Sequence, residues 1–131
     1  MALATRAWTL AELDRLPDDG NKYELIDGEL FVTPAPSPAH ERLSSVLYGL
    51  LWPYVRGRRL GDIYTPRAVI RTDGSEVEPD LMVRPPVSAL PETWELMPTP
   101  SLVVEILSQT TRRRDQEHKR RFYQRIGVGE Y

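Results

Sequence analysis

Two short periodic patterns open the chain and predict a helix followed by a β-hairpin. Leucines at positions 10, 13 and 16 recur at helical spacing. They follow Thr9, and Glu12 stands three residues later, which is the capping box that begins a helix. Next, Asp27-Gly28 separates two strand-like segments, residues 23–26 and 29–32. An Asp-Gly pair in this position is typical of a tight hairpin turn.

The longest helical pattern covers residues 39–55, where apolar side chains recur three and four positions apart and form one apolar face. The side chains of this face are Leu43, Val46, Leu47, Leu50 and Leu51. Further along, strands are predicted at residues 62–70, 76–83 and 102–108, and a last helix at residues 112–126. Residues 85–100 contain five prolines and are predicted to form a surface loop.

Together these elements predict an α+β fold within the broad α/β class: a mixed central sheet flanked by helices, with an N-terminal helix and β-hairpin. No internal repeat, low-complexity tract or change in composition marks a boundary. Residues 1–131 are therefore predicted to form a single domain, and this length is sufficient for one hydrophobic core.

Glu105 is the one charged residue of the apolar segment 102–108. A short aliphatic segment of this kind is typical of a strand that is buried on both faces. An ionised carboxylate in such a strand is costly unless a metal ion, a cationic partner or a shared proton compensates its charge. Glu105 therefore belongs either to a functional site or to a structural ion pair.

Lys119 lies on the apolar face of the last predicted helix. Positions 115, 119, 122, 123 and 126 share one face, and three of them are Phe122, Tyr123 and Ile126, which indicates that this face packs on the core. A lysine on that face needs a carboxylate or an anionic ligand within reach. Alternatively, its amine extends past the edge of the core to solvent.

The composition is that of an ordinary globular protein and excludes thiol chemistry. Hydrophobic residues make up 40% and charged residues 27% of the chain, and there is no cysteine. The start of the chain lacks the pattern of a signal peptide, and we expect a cytoplasmic protein. We expect no membrane association, because the longest apolar segment, residues 43–55, contains Pro53 and is too short to cross a bilayer.

Positive charge is concentrated near the end of a chain whose formal net charge is -2. Residues 112–125 hold six arginines and one lysine against two acidic residues. Such a segment either guides a polyanion or is the solvated face of a helix. The arginines that we predict to contact a nucleic-acid backbone are Arg112, Arg113, Arg114 and Arg120, with Arg67 and Arg71 as further candidates.

Asp80 adds a second carboxylate on a neighbouring strand. It follows Pro79, which cannot donate to a sheet ladder, so the strand begins or runs at an edge there. Asp80 and Glu105, with an inward Lys119 on the next helix, could hold Mg²⁺ or Mn²⁺ through oxygen ligands. The metal would activate a water, and the lysine would orient that water or stabilise the transition state. The predicted reaction is phosphodiester hydrolysis.

The order Pro79-Asp80, Glu105 and Lys119 resembles the PD-(D/E)XK restriction-endonuclease-like superfamily, and five segments resemble its Uma-type restriction endonuclease family. These segments are residues 23–29, 37–40, 78–81, 102–108 and 115–131. The resemblance implies a restriction-endonuclease-like fold and a Mg²⁺-dependent endodeoxyribonuclease that cuts DNA. It also implies that Asp80, Glu105 and Lys119 are catalytic and that Asp80 and Glu105 bind the metal.

The same resemblance brings Glu24 and His40 into the site as accessory residues, because both match polar positions of the Uma-type family. The chain departs from the pattern at Leu107, where the superfamily usually has its lysine, and at Gln109, where the family usually has proline. The family continues past Tyr131 into a further strand, so we expect a C-terminally shortened member. A partner chain in a homodimer would cover the open sheet edge, or the fold would be less stable than that of its relatives.

Two other functional interpretations of these residues stay open. One is a catalytically silent nuclease-like module that binds nucleic acid or another protein. The other is a domain in which Glu105 and Lys119 form only a buried ion pair.

Overall fold

The computed structural model describes residues 6–108 and 113–131, except for the side chain of Arg114. In these ranges the chain forms three α-helices, seven short strands and one turn of 3-10 helix. The elements are α1 (Leu10–Leu13), β1 (Lys22–Ile26), β2 (Glu29–Thr33), α2 (Pro38–Gly57), β3 (Asp62–Tyr64), β4 (Ile70–Arg71), β5 (Glu76–Val77), β6 (Leu81–Arg84), the 3-10 turn (Trp94–Leu96), β7 (Leu102–Val104) and α3 (Arg113–Ile126).

The predicted N-terminal helix and hairpin are confirmed, and the local sequence explains both. Glu12 N–H donates to Thr9 Oγ1, and Thr9 N–H donates to the Glu12 carboxylate, each at 3.2 Å, which completes the capping box of α1. In the turn, Asp27 and Gly28 have φ angles of 51° and 84°. A two-residue hairpin turn of this type requires such positive values at both positions.

The described strands form two antiparallel sheets, in the orders β2-β1-β5-β4 and β3-β6-β7. In the second sheet, Leu81 of β6 lies opposite Val104 of β7. A parallel bridge joins Leu102 to Glu130, where the chain returns after α3, and Val103 N–H donates to Glu130 O at 2.9 Å. The predicted α+β class, with helices flanking sheets, is confirmed.

Two of the predicted strands are interrupted. The segment 62–70 is divided between β3 and β4, which belong to different sheets. The segment 76–83 is divided between β5 and β6 at Pro79, which has no N–H to donate to a ladder. Each break separates a strand of the first sheet from a strand of the second.

The third predicted strand, residues 102–108, is shorter than its apolar pattern. β7 ends at Val104, and beyond it the N–H of Ile106 donates to Asp80 Oδ2 at 2.7 Å instead of to a neighbouring strand. The prediction that the whole segment is buried on both faces is wrong, because Leu107 is 58% exposed. The early end of the strand leaves Glu105 beside Asp80 at one end of the second sheet.

The hydrophobic core combines residues from both sheets with two aromatic rings of α3. Phe122 and Tyr123 are each only 1% exposed, so the predicted inward face of this helix does pack on the core. The core cluster consists of Ile26, Ala68, Ile70, Val77, Met82, Val103, Phe122 and Tyr123. Because the two rings fix the rotation of α3, they also fix the direction in which Lys119 extends.

The long helix α2 is close to its predicted bounds, but much of its apolar face lies outside the core. Leu43, Val46 and Leu50 are 47%, 52% and 67% exposed, whereas Val55 is buried. The helix lies against β3 and β6. Among the described residues, none of the helices combines the length and apolar character that a membrane span requires.

Candidate active site

Asp80 immediately precedes β6. Its carboxylate is bound by the backbone that follows the end of β7. Its Oδ2 accepts the 2.7 Å hydrogen bond from Ile106 N–H, and its side chain is 8% exposed. Because Leu81 and Val104 are opposite each other in the ladder, Asp80 and Glu105 follow at the same end of the β6–β7 pair. The two carboxylates therefore line one cleft, as the sequence predicted for neighbouring strands.

Glu105 is bound by two side chains of α3. Its Oε1 accepts a hydrogen bond from the Tyr123 hydroxyl at 2.6 Å, and its Oε2 lies 3.3 Å from Lys119 Nζ. The side chains of Glu105 and Lys119 are 8% and 14% exposed. Lys119 is thus turned toward the interior, on the face that Phe122 and Tyr123 define.

Glu24 is the nearest partner of Lys119. Its Oε1 lies 2.8 Å from Lys119 Nζ, and its Oε2 accepts a hydrogen bond from the N–H of Glu78 at 2.9 Å. The residue is 1% exposed. The sequence assigned Glu24 only an accessory position, whereas here it connects the first hairpin, α3 and the segment that leads into Asp80.

His40 joins the cleft from the first turn of α2. Ser37 caps this helix, with Ser37 Oγ accepting a hydrogen bond from His40 N–H at 3.2 Å. The ring then extends between two carboxylates, with Nε2 3.1 Å from Asp80 Oδ1 and Nδ1 3.2 Å from Glu41 Oε1. The histidine therefore contacts one of the two predicted metal ligands directly.

Two residues that contact Asp80 or Glu105 were not singled out as site residues from the sequence. Lys22 Nζ lies 3.2 Å from Glu78 O and 3.9 Å from Asp80 Oδ1. A signal was available, since Lys22 and Glu24 are two positions apart on β1 and so point to the same face of the strand. Tyr123 was identified only as a core residue, because periodicity reports its ring but not the partner of its hydroxyl.

Burial and neighbouring charge pull the ionisable groups of the cleft in different directions. Burial raises the pKa of Glu105 above its ordinary value, although Lys119 opposes this change. Burial also disfavours the ammonium of Lys119, but Glu105 and Glu24 outweigh it, and the net effect is a raised pKa. The pKa of Tyr123 is raised well above its ordinary value by burial and by the negative charge of Glu105. Lys119 is therefore a cation at neutral pH.

These side chains line an open cleft of about 1890 Å³ between β2, α2 and the β6–β7 end of the second sheet. Its lining includes Lys22, Glu24, His40, Glu78, Asp80, Glu105 and Lys119. Burial raises the pKa of Glu78 as well. Among the described residues that line the cleft, seven are acidic and three are lysine or arginine. The cleft is thus acidic, with its two lysines positioned among the carboxylates.

The arginines predicted to contact nucleic acid have different surroundings. Arg113 is exposed, and Arg120, with a side chain 66% exposed, lies 3.5 Å from Glu117. Arg112 and the side chain of Arg114 lie outside the described residues. The two further candidates, Arg67 and Arg71, both face acidic partners, and Arg67 lies 2.7 Å from Asp18.

Arg71 is half-buried and surrounded by acidic side chains. Its guanidinium nitrogens lie 2.8 Å from Asp14, 2.9 Å from Glu76 and 3.2 Å from Glu95. The hydrogen bonds to Asp14 and Glu76 raise the pKa of Arg71 above its ordinary value. The charge of Arg71 is neutralised by these contacts, which contradicts its predicted role as a guide for a polyanion.

The fold and the cleft together define a restriction-endonuclease-like protein. The model of the Uma2 family, which is described as "Putative restriction endonuclease", matches residues 10–131. The chain belongs to this family, and the predicted resemblance is confirmed. No curated protein matches the chain significantly.

A solved structure supports the fold independently. The chain is similar to the crystal structure of a "putative nuclease belonging to DUF820" from Anabaena variabilis ATCC 29413, with a TM-score of 0.73 and 18% sequence identity. The similarity covers 92% of this chain and 70% of that chain. At this identity the likeness concerns the fold.

Proposed function

We propose that this protein is a metal-dependent endonuclease that hydrolyses phosphodiester bonds in DNA. The observation that carries the proposal is the shared cleft of Asp80, Glu105 and Lys119, in which the amine lies 3.3 Å from one carboxylate. The family of the chain supports the same reaction class. We keep the single domain, the cytoplasmic location and the homodimer as predictions, and light scattering of the purified protein tests the dimer.

Asp80 and Glu105 are the residues that would hold the metal. Each carboxylate oxygen has two lone-pair directions, and each of these four oxygens makes one close described contact, to Ile106, His40, Tyr123 or Lys119. Within the described ranges no group of three or more protein ligands is assembled for a metal. Two carboxylates nevertheless fit Mg²⁺, which usually retains waters and binds substrate phosphates.

The acidity of the cleft supports metal dependence. With seven acidic and three basic side chains among its described lining residues, the cleft repels a polyanion unless cations are added. A bound Mg²⁺ or Mn²⁺ would lower the pKa of a water and neutralise charge on the phosphate. Consequently, both the binding of DNA and its cleavage should depend on the divalent ion.

Lys119 is assigned an electrostatic role. Its raised pKa keeps it protonated at neutral pH, so it cannot accept the proton of the attacking water. Glu24 and Glu105 orient the ammonium through contacts of 2.8 and 3.3 Å. The amine can then donate to a phosphate oxygen or to the water, and such preorganised donors stabilise the charge that develops in the transition state.

The arginines at positions 112–114 and 120 are proposed to guide the DNA backbone toward this cleft. Arg113 and Arg120 are exposed, and Arg112 and Arg114 precede or adjoin them in sequence. Phosphate contacts of this kind are not specific for sequence and weaken as salt concentration rises.

The direct test is cleavage of supercoiled plasmid with Mg²⁺ or Mn²⁺, compared with EDTA. We expect the parent to nick or linearise the plasmid, and Asp80→Asn and Lys119→Met to lose activity by at least about 100-fold. Asp73→Asn, in an exposed turn, is the matched control and should retain activity. Undiminished cutting by Asp80→Asn would remove the catalytic assignment and point to a contaminating nuclease.

Each oxygen of Asp80 and Glu105 has a partner within the protein, and this favours one other function, a catalytically silent module that binds nucleic acid or protein. Plasmid cleavage separates this module from the nuclease, and calorimetric titration with Mn²⁺ separates both from a domain in which Glu105 and Lys119 form only an ion pair. A metal site should bind the ion in a manner that Glu105→Gln weakens. A pure ion pair should bind no divalent ion.

A further inference from the structure

Lys22 is the second lysine that lines the cleft, and its contacts differ from those of Lys119. Its Nζ donates to the backbone carbonyl of Glu78 at 3.2 Å and lies 3.9 Å from Asp80 Oδ1. Its side chain is 19% exposed, against 14% for Lys119. The amine is therefore anchored at one point and open to the cleft.

The donors of the two lysines are used to different extents. A lysine ammonium has three N–H donors. Lys119 directs two of them at Glu24 and Glu105, at 2.8 and 3.3 Å. Among the described residues, Lys22 has one contact short enough to be a hydrogen bond, that with Glu78 O, since 3.9 Å exceeds that range. Lys22 thus has more donor capacity left for a substrate.

Lys22 is also not required to satisfy Asp80. The two oxygens of Asp80 already contact Ile106 N–H at 2.7 Å and His40 Nε2 at 3.1 Å. A hydrogen-bonded ion pair would bring the amine to about 2.7–2.9 Å from this carboxylate, whereas Lys22 Nζ stays 3.9 Å from Oδ1. Its charge instead faces the space in front of Asp80, where the lining is otherwise acidic.

We infer that Lys22 binds a non-bridging phosphate oxygen of the substrate, an inference that rests on the function proposed above. A lysine ammonium binds phosphate as a point charge. In this assignment Lys22 contributes to substrate affinity, whereas Lys119, which two carboxylates orient, contributes to the chemical step.

The test measures binding of a fluorescein-labelled duplex oligonucleotide by anisotropy, with Mg²⁺ and a series of KCl concentrations. The Lys119→Met background prevents cleavage during the measurement. Adding Lys22→Met should weaken binding about tenfold, as expected for one charge-assisted hydrogen bond. It should also reduce the slope of log K against log salt by about one. Lys22→Arg should restore most of the affinity because it retains the charge.

Arg15→Met is the matched control, since Arg15 is exposed and does not line the cleft. It should leave both affinity and slope close to those of the background. An unchanged slope for Lys22→Met would overturn the inference. A melting temperature lowered by more than about 5 °C would also overturn it, because Lys22 would then stabilise the fold instead of binding substrate.

Cleavage by the parent separates this inference from the proposed function. In the parent background, which retains Lys119, Lys22→Met should raise KM about tenfold and change kcat less than about threefold. If the parent cuts and the slope does not depend on Lys22, only the inference fails. If the parent binds without cutting and the slope does depend on Lys22, only hydrolysis fails. An oligonucleotide that does not bind at all overturns both.

Discussion

The carboxylate of Glu24 lies 2.8 Å from the amine of Lys119 and joins the first hairpin to the last helix. The other oxygen of Glu24 binds the backbone of the segment that carries Asp80. One buried side chain therefore connects three parts of the chain that are far apart in sequence. The cleft depends on this connection as much as on the carboxylates that face the proposed substrate.

Glu24→Ala should accordingly be among the most destabilising single changes. It leaves Lys119 with one carboxylate and the N–H of Glu78 without its partner, and breaking a buried pair in this way costs about 3–5 kcal/mol. Glu24→Gln should cost less, because the amide can still accept a hydrogen bond. Urea denaturation checks both, with the exposed Glu92→Ala as a control expected to stay within about 0.5 kcal/mol. Equal effects of the Glu24 and Glu92 variants would contradict the geometry.

Tyr123→Phe removes the hydroxyl that donates to Glu105 at 2.6 Å and preserves the buried ring. We expect a loss of about 1–3 kcal/mol, since a hydrogen bond to a charged, buried acceptor is lost and nothing replaces it. Tyr54→Phe is the matched control, because Tyr54 is 52% exposed and should change stability little. Thermal melts of the parent and of both variants check this prediction. An unchanged melting temperature for Tyr123→Phe would show that this hydrogen bond does not stabilise the fold.

The raised pKa of Glu105 predicts a specific pH dependence of stability. Because of burial, the carboxyl of Glu105 holds its proton more tightly in the folded protein than in the unfolded chain, where its pKa has the ordinary value of 4.5. The corresponding stability is fully present below that value and is lost as pH rises through the raised folded pKa. In EDTA, the melting temperature of the parent should therefore fall relative to that of Glu105→Gln as pH increases from about 4.5. A constant difference between the two proteins across this range would argue against a raised pKa.

The difference in exposure between a leucine of β1 and one of α2 predicts that their truncations will differ widely in cost. Leu25 is fully buried on β1, and Leu25→Ala should cost about 2–5 kcal/mol. Leu50 is 67% exposed, and Leu50→Ala should cost no more than about 0.5 kcal/mol in the monomer. Denaturant midpoints measured at low protein concentration check this contrast. A large effect of Leu50→Ala would mean that this face of α2 is covered in solution.

Local signals identified most helices and the hairpin, because the residues that decide them are neighbours in sequence. The capping box at Thr9, the Asp-Gly turn and the apolar spacing of α3 each act over a few positions. Strand lengths were predicted less well. An apolar pattern extends through residues 105–108, but the ladder ends where Ile106 N–H binds Asp80, and that partner is distant in sequence.

By itself, the sequence determined the family, the α+β class and the inward side of α3, and it singled out Asp80, Glu105 and Lys119. Each of these follows from short motifs or from the period of one element. Only the tertiary structure decided that Glu24 is the nearest partner of Lys119, that Lys22 approaches Asp80 and that Arg71 is neutralised by three carboxylates. The physical reason is that charge pairing depends on distances between side chains of different elements, and sheet packing sets these distances.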